Sequence, residues 1–524
     1  MAAGAVSGGA GAGASAHRLT ESIAKFDLDR VTRNLRGPSS MNLNRKKESG
    51  AYYTPDDVVQ SLVSWAVSCS DDRMLDPSCG DGRFLMVHPK SVGVESDPEA
   101  AAVVQLRTPG SLLHQGDFFA WAATTRERFE CAAGNPPFIR YQRFTGAIRA
   151  AAISICSRNG ADFSSLSSSW APFLVATASL LKPNGRMAFV APAEIGHAPY
   201  AAPLIRFLMD NFSKVQVIAV EEKLFPELSE DCWLLYCEGF GGKTDVILLS
   251  QMWRFSASTQ PPRQGKSISA SDLEKTGLRL RPFLLSPKAL ELYSSLAFSS
   301  KTFRLSDVAR IGIGYVTGAN DFFHLKPSLA RRLGINDRFL FPAVRNGRDL
   351  MDNSISQETV IRWRSADDPH FLLRIKRDDA IPIAVQNYLD SAEGRIARES
   401  YKCRNRQPWY SVPDVQVPDA FLSYMSGLSP SLVANAAGCV ATNSVHVVRL
   451  KPGIKVTDLQ YQWGDPLTQL SCEIEGHPLG GGMLKLEPRE ASRIVVRRDA
   501  SQNPEEADTL MDAVETMRRW RHYG

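Results

Sequence analysis

Between Arg73 and Cys237 the chain alternates short apolar runs with amphipathic stretches, and no other feature limits the fold so tightly. Apolar runs bounded by turn residues suit strands buried on both faces, and the stretches between them supply the crossovers that parallel strands need. Candidate strands are 73–76, 91–95, 112–115, 129–134, 186–191, 214–220 and 232–237, with helices at 98–107, 170–181 and 200–211. The segment 221–231 has too little room for a crossover helix, so the last two strands are expected to pair antiparallel. Upstream, Thr54 is positioned to cap a helix over 55–67, with Pro55 in its first turn.

At 524 residues the chain is too long for one core, and its character changes along its length. The predicted organisation is a leader and N-terminal helix over 1–45, with Met1 to Ala16 a disordered Ala/Gly/Ser stretch, then an α/β unit over 46–240. A Ser/Gln/Pro-rich surface connector follows over 241–302, and a second, mixed α+β domain with frequent Arg over 303–524. A net charge of +5, spread through both halves, permits nucleic-acid binding without arguing for it. Nine scattered cysteines with no Cys-x-x-Cys pair indicate neither a metal site nor a disulfide framework, and a reducing cytosol is the expected compartment. No apolar stretch approaches the roughly 20 residues that cross a bilayer, so no membrane association is expected.

The tetrad Asn135-Pro136-Pro137-Phe138 leaves the apolar run 129–134. An amine conjugated to a ring or a carbonyl is a poor nucleophile because its lone pair is delocalised. The Asn135 side-chain oxygen and the Pro136 carbonyl can each accept one N–H and favour a pyramidal nitrogen. Proline contributes no competing donor. Phe138 offers a flat apolar surface to the ring carrying the amine. An Asn-Pro turn after a strand has the same local sequence, so the tetrad gains meaning only from its neighbours.

Those neighbours follow successive strands. Asp76-Pro77-Ser78-Cys79-Gly80-Asp81-Gly82 places two glycines in the turn after the first strand, where backbone N–H groups approach a polar ligand. Leu85 stands where a dinucleotide fingerprint requires its third glycine, which counts against NAD. Glu95 ends the second strand and can accept from ribose hydroxyls. Asp117 and Phe118 follow the third and can take an adenine amino proton and stack on its ring. Singly each acid suits a helix cap; together they describe a pocket for an adenosine-containing cofactor.

The series Gly50-Ala51-Tyr52-Tyr53-Thr54-Pro55, Asp76 to Gly82, Glu95, Asp117-Phe118 and Asn135 to Phe138 resembles the S-adenosylmethionine-dependent adenine-N6 DNA methyltransferases. More narrowly it resembles the gamma class of type II restriction-modification systems, the TaqI-like methylases, in motif order. The resemblance implies a class I methyltransferase fold, Rossmann-like, with a mostly parallel seven-stranded sheet and an antiparallel edge strand, followed by a target-recognition domain. It implies that Tyr53, Thr54, Asp76, Pro77, Gly80 and Gly82 hold the methionine part of S-adenosyl-L-methionine and Glu95 its ribose. Asp117, Phe118 and Phe173 would hold its adenine. Asn135, Pro136, Pro137 and Phe138 would act on the target base, with Phe138 and Phe225 stacking on it once it leaves the helix. Cys79 reads as a small buried residue in the cofactor turn, because transfer to an amine needs no covalent intermediate.

Three C-terminal segments, Val316 to Phe323, Tyr401 to Tyr410 and Gly480 to Leu486, resemble parts of recognition domains in such enzymes. In the middle one Lys402, Arg404, Asn405, Arg406 and Trp409 interleave cations and an amide with an aromatic, a pattern suited to phosphate contact, base-edge contact and stacking. The resemblance implies double-stranded DNA as partner and a bacterial or archaeal cytoplasmic, nucleoid-associated enzyme. Any cognate restriction endonuclease is expected on a separate chain, since fewer than about 50 residues precede the motifs, short of an ordinary domain. Two other readings share the motifs: an amine methyltransferase for RNA or protein glutamine, and an inactive or subunit DNA-binding homologue.

Overall fold

The computed structural model describes residues 54–140, 142–164, 167–228, 230–498 and 503–523. The leader and N-terminal helix expected over 1–45, and Tyr53, lie outside the described residues.

A nine-stranded sheet organises the first half, in the order β3-β2-β1-β4-β5-β7-β6-β8-β9. Its strands are β1 Met74–Asp76, β2 Ser91–Glu95, β3 Leu112–Gln115, β4 Phe129–Gly134, β5 Leu181–Pro192, β6 Phe212–Val220, β7 Cys232–Phe240, β8 Val246–Met252 and β9 Lys266–Ser269. Strands β3, β2, β1, β4 and β5 run parallel. Strand β7 runs antiparallel between β5 and β6, so the antiparallel strand expected at the edge is interior. The edge is extended by β8, parallel to β6, and β9, antiparallel to β8. Both come from the stretch read as a surface connector. Its longest irregular part is the loop 253–265, whose Ser/Gln/Pro composition masked the apolar run Val246–Met252 before it.

The helices that flank the sheet are α1 Asp56–Ala66, α2 Arg83–Val87, α3 Pro98–Arg107, α4 Phe118–Ala122, α5 Gly146–Arg158, α6 Trp170–Ala178 and α7 Ala201–Asn211. Alternate residues of each central strand point to opposite faces. Leu75, Ala132, Met187 and Phe189 join one core with α4, α5, α6 and α7. Met74, Cys131, Ala133, Ala188 and Val190 join the other, covered by Val58, Leu62 and Trp65 of α1 and Phe84 of α2. Both faces are therefore dry, which accounts for the nearly unbroken apolar run of β4. Helix α6 is buried at every position, so its sequence shows no polar face. Helix α1 starts without a side-chain cap, contrary to the reading of Thr54.

The C-terminal region carries a five-stranded sheet ordered Ala309–Ile313, Val445–Leu450, Ala420–Ser423, Leu432–Asn435 and Ser354–Ile355, and smaller sheets beside it. Helix Pro287–Ala297, also from the predicted connector, packs through Ala289, Tyr293 and Leu296 onto helices Pro466–Glu475 and Pro504–Arg519. No helix among the described residues is long and apolar enough to cross a membrane.

Candidate active site

The parallel strands end along one sheet edge, and the chain reverses its winding between β1 and β4, which opens a crevice beyond their carboxyl ends. Asp76, last in β1, and Gly134, last in β4, face each other there. A Cβ on Gly134 would stand 2.8 Å from Asp76 Oδ1 and 3.1 Å from the Phe189 ring, so any larger residue would close the gap. The Asp76 carboxylate is fully buried; the Ser78 N–H donates to Oδ1 at 3.2 Å, while no hydrogen bond reaches Oδ2 among the described residues. Burial raises its pKa to about 8, against the Ser78 hydrogen bond and with help from the charges of Glu95 and Asp81.

The turn after β1 is held to β2. The Cys79 N–H donates to the Val94 carbonyl at 3.0 Å and the Gly80 N–H to Glu95 Oε2 at 2.9 Å. Gly80 and Gly82 adopt φ of +53° and +83°, the left-handed region where glycine is unstrained. A Cβ on Gly80 would meet nothing within 4 Å, so the turn borders open space. Glu95 also accepts from the Asp97 N–H at 2.7 Å; burial raises its pKa and these hydrogen bonds oppose the shift. Cys79 is buried, with Sγ 2.8 Å from where a Gly93 side chain would begin, and burial pushes its thiol up; it packs and does not react.

Asp81 bridges Arg107 at 2.8 Å and Arg83 at 3.0 Å. Arg83 also donates to the Thr54 carbonyl at 3.2 Å, tying the start of α1 to the glycine turn. Thr54 Oγ1 in turn accepts from Asn135 Nδ2 at 3.2 Å, so the amide turns its nitrogen toward α1 and carries Oδ1 on its other branch. The Ser78 hydroxyl donates to the Asn135 carbonyl at 3.1 Å. The Ser169 hydroxyl donates to the Pro137 carbonyl at 2.6 Å and accepts from the Ile139 N–H at 3.0 Å. Between these two engaged carbonyls, no hydrogen bond goes to that of Pro136 among the described residues. Ser78 and Ser169 escaped the reading of the sequence because nothing local marks a serine that pins a distant carbonyl.

Asp117 caps α4, accepting from the Ala120 N–H at 2.9 Å, and the Phe118 ring packs at a tilt on Phe173 with centroids 4.5 Å apart. Both rings belong to the core under the pocket. Phe138 is half-buried and packs against both cores, while Phe225, 6% exposed, sits in the second of them on the loop 221–231. Arg140 Nη2 and Glu230 Oε1, 3.0 Å apart, bridge the Asn-Pro-Pro loop to that same loop. Beyond β5, the Tyr200 hydroxyl donates to Glu194, whose pKa is raised by burial.

The 401–410 segment departs from expectation. Lys402 and Arg404 are exposed. Arg406, read as a base-contacting side chain, is instead turned inward: Nε donates to the Trp409 carbonyl at 2.6 Å and Nη2 to the Thr317 carbonyl at 2.7 Å, and the guanidinium lies over the Phe323 ring. Desolvation lowers its pKa. Trp409 packs on Phe322 and Phe323 as part of the domain core. Asn405 Nδ2 closes the short helix by donating to the Tyr401 carbonyl at 2.7 Å. Nε, Nη1 and Nη2 each donate to a backbone carbonyl of its own domain, which turns the guanidinium away from a base-contacting role.

The sheet order, with its antiparallel β7 and a crevice between β1 and β4, is that of the class I methyltransferase fold. Residues 39–106 match the N-6 DNA Methylase family, and residues 279–522 match the family described as Type II methyltransferase M.Eco57I, C-terminal domain. The chain is similar to the type II methyltransferase M.XamI of Xanthomonas campestris pv. amaranthicola, 24% identical over 86% of this chain and 85% of that protein. It is also similar to M.AccI of Acinetobacter calcoaceticus, 18% identical over 91% of this chain and 89% of that one. These matches support an adenine-specific N6 DNA methyltransferase, a class whose methyl donor is S-adenosyl-L-methionine.

Proposed function

We propose that the enzyme methylates N6 of one adenine in a short duplex sequence, after that base has rotated out of the helix into the crevice between the Asn-Pro-Pro loop and the loop 221–231. In a host with a cognate restriction endonuclease on a separate chain, such methylation protects the DNA. The observation that carries this reading is the Pro136 carbonyl, held between two carbonyls that Ser78 and Ser169 take up. Two acceptors, Asn135 Oδ1 and Pro136 O, match the two hydrogens of an exocyclic amine.

The residues at the β1 turn fit the donor. The buried Asp76 Oδ2 suits a cationic ammonium, the open Gly80 turn admits a ligand against the backbone, and Glu95 suits the ribose hydroxyls. Asp117, with one oxygen on the Ala120 N–H, suits the cofactor's adenine. When bound, S-adenosyl-L-methionine supplies a methyl group already activated by its sulfonium. The chain's part is positional: Asn135 and Pro136 localise the N6 lone pair, Thr54 orients the Asn135 amide, and Phe138 and Phe225 replace stacking lost by the flipped base. The exposed cations Lys402 and Arg404 suit phosphate contact and the placing of the domain on the duplex.

The test is to incubate the protein with S-adenosyl-L-methionine and unmodified plasmid and map modified bases by single-molecule sequencing, with Asn135→Ala as control. N6-methyladenine in one short motif, absent with the variant, is the expected result. Plasmid left unmethylated by a protein that binds the cofactor would overturn it, and RNA and protein glutamine would then be tried.

A further inference from the structure

The loop 221–231, which bears Phe225, is gripped at both ends by the end of helix Pro504–Arg519 and the residues just after it. At its start, Glu221, 9% exposed, pairs with Arg519 Nε at 2.7 Å. At its end, Asp231 Oδ1 lies 3.0 Å from His522 Nε2. Between these contacts Trp520 enters the core of the catalytic domain and meets the Trp233 ring edge-on at 6.4 Å. Three neighbouring side chains from the far end of the sequence thus bracket one catalytic loop.

The same segment is fixed from the other side by the recognition domain. Arg521 is fully buried: its guanidinium pairs with Glu473, and it donates to the carbonyls of Gly427 at 2.7 Å, Leu428 at 3.0 Å and Gly482. The approach is close, and at Gly482, with φ of +79°, it requires glycine. A Cβ on Gly482 would stand 2.9 Å from the His522 carbonyl, and one on Gly427 3.1 Å from the Tyr523 ring. Gly482 belongs to the Gly480-Gly481-Gly482 motif, for which the catalytic reading leaves no role.

We propose that residues 519–523 form a strut that transmits the position of the recognition-domain loops at 427–428 and 480–482 to the base-stacking loop, making Arg519 and His522 positioning residues for the flipped adenine. The inference rests on the assignment of Phe225 to the target base. Two loops of the recognition domain meet on Arg521, and its neighbours Arg519 and His522 meet both ends of the Phe225 loop. A shift of either recognition loop is therefore felt at the site of base capture.

The experiment uses the full chain and a duplex holding the mapped sequence with 2-aminopurine at the target adenine, a probe that brightens when unstacked. The double variant Arg519→Ala/His522→Ala should lower kcat about tenfold while cofactor and DNA dissociation constants stay within about twofold. It should lose most of the 2-aminopurine signal and show faster amide hydrogen exchange in 221–231. Arg519→Lys/His522→Gln should restore much of each, and Gly482→Ala should mimic the defect. Unchanged kcat, fluorescence and exchange in the double variant would overturn the proposal, as would a parallel loss of cofactor affinity. Phe225→Ala is the separate check on the reading beneath: if it leaves kcat and fluorescence intact, the stacking role fails, and the strut is then decided by hydrogen exchange alone.

Discussion

The Asn135 amide is one planar group, so the hydrogen bond from its nitrogen to Thr54 also orients its oxygen. Asn135→Ala should therefore lower kcat by about a hundredfold or more, the scale of losing one oriented transition-state contact, with cofactor affinity changed less than about threefold. Equilibrium binding and single-turnover rates check this together. Asp76 makes a second prediction at this scale. With its pKa raised to about 8, the buried carboxyl is largely protonated at pH 6 and ionised above pH 8. A cationic ligand against it favours the ionised form, so binding expels a proton. Affinity for S-adenosyl-L-methionine should rise between pH 6 and 8, by up to about tenfold per unit, and level off above. The cofactor's own amine titrates nearby, so the measurement is the difference between the native protein and Asp76→Asn, in which the Asp76 contribution disappears. Identical profiles would remove Asp76 from the cofactor site.

At the scale of elements, the Asn-Pro-Pro loop is shaped from outside itself. Ser169, at the start of α6, satisfies one donor and one acceptor of the loop, and Ser78, from the β1 turn, a third group. Ser169→Ala should cost about 1–3 kcal/mol of stability by leaving these groups unpaired, and should lower kcat about tenfold by loosening Pro136. Thermal unfolding and steady-state kinetics measure the two effects, and a normal rate with lowered stability would separate the serine from catalysis. Most strands were legible because their apolar runs are bounded by turns; the five parallel strands all begin or end within a few residues of expectation, β5 excepted at its start. The place of β7 inside the sheet was not legible, since antiparallel pairing with β6 is the same local event on either side of it.

At the scale of the molecule, a buried ionic node joins the halves. Glu473 receives Arg521 at 2.8 Å and lies 3.6 Å from Arg281, and burial holds Arg281 down to about 10 even so. Glu473→Ala would leave two buried guanidinium groups uncompensated and should destabilise the protein by about 3–5 kcal/mol, seen as a lower denaturation midpoint. Exchanging the region after Phe303 for that of a related enzyme should transfer the methylated sequence, provided residues 519–523 keep their partners at Glu221 and Asp231. Retention of the original sequence by an active chimaera would place recognition elsewhere.

Strand runs, the glycine turn and the order of the acids and the Asn-Pro-Pro tetrad are local patterns, and from them alone the sequence determined the class of fold and the chemistry to look for. The tertiary structure alone decided which carbonyls of the Asn-Pro-Pro loop are already engaged, that Arg406 is turned into its own domain, and that the last described residues return to the first domain. Each of these depends on hydrogen bonds or ion pairs between residues far apart in the chain, and side-chain chemistry states what a group can bind without stating which partner the fold will bring to it.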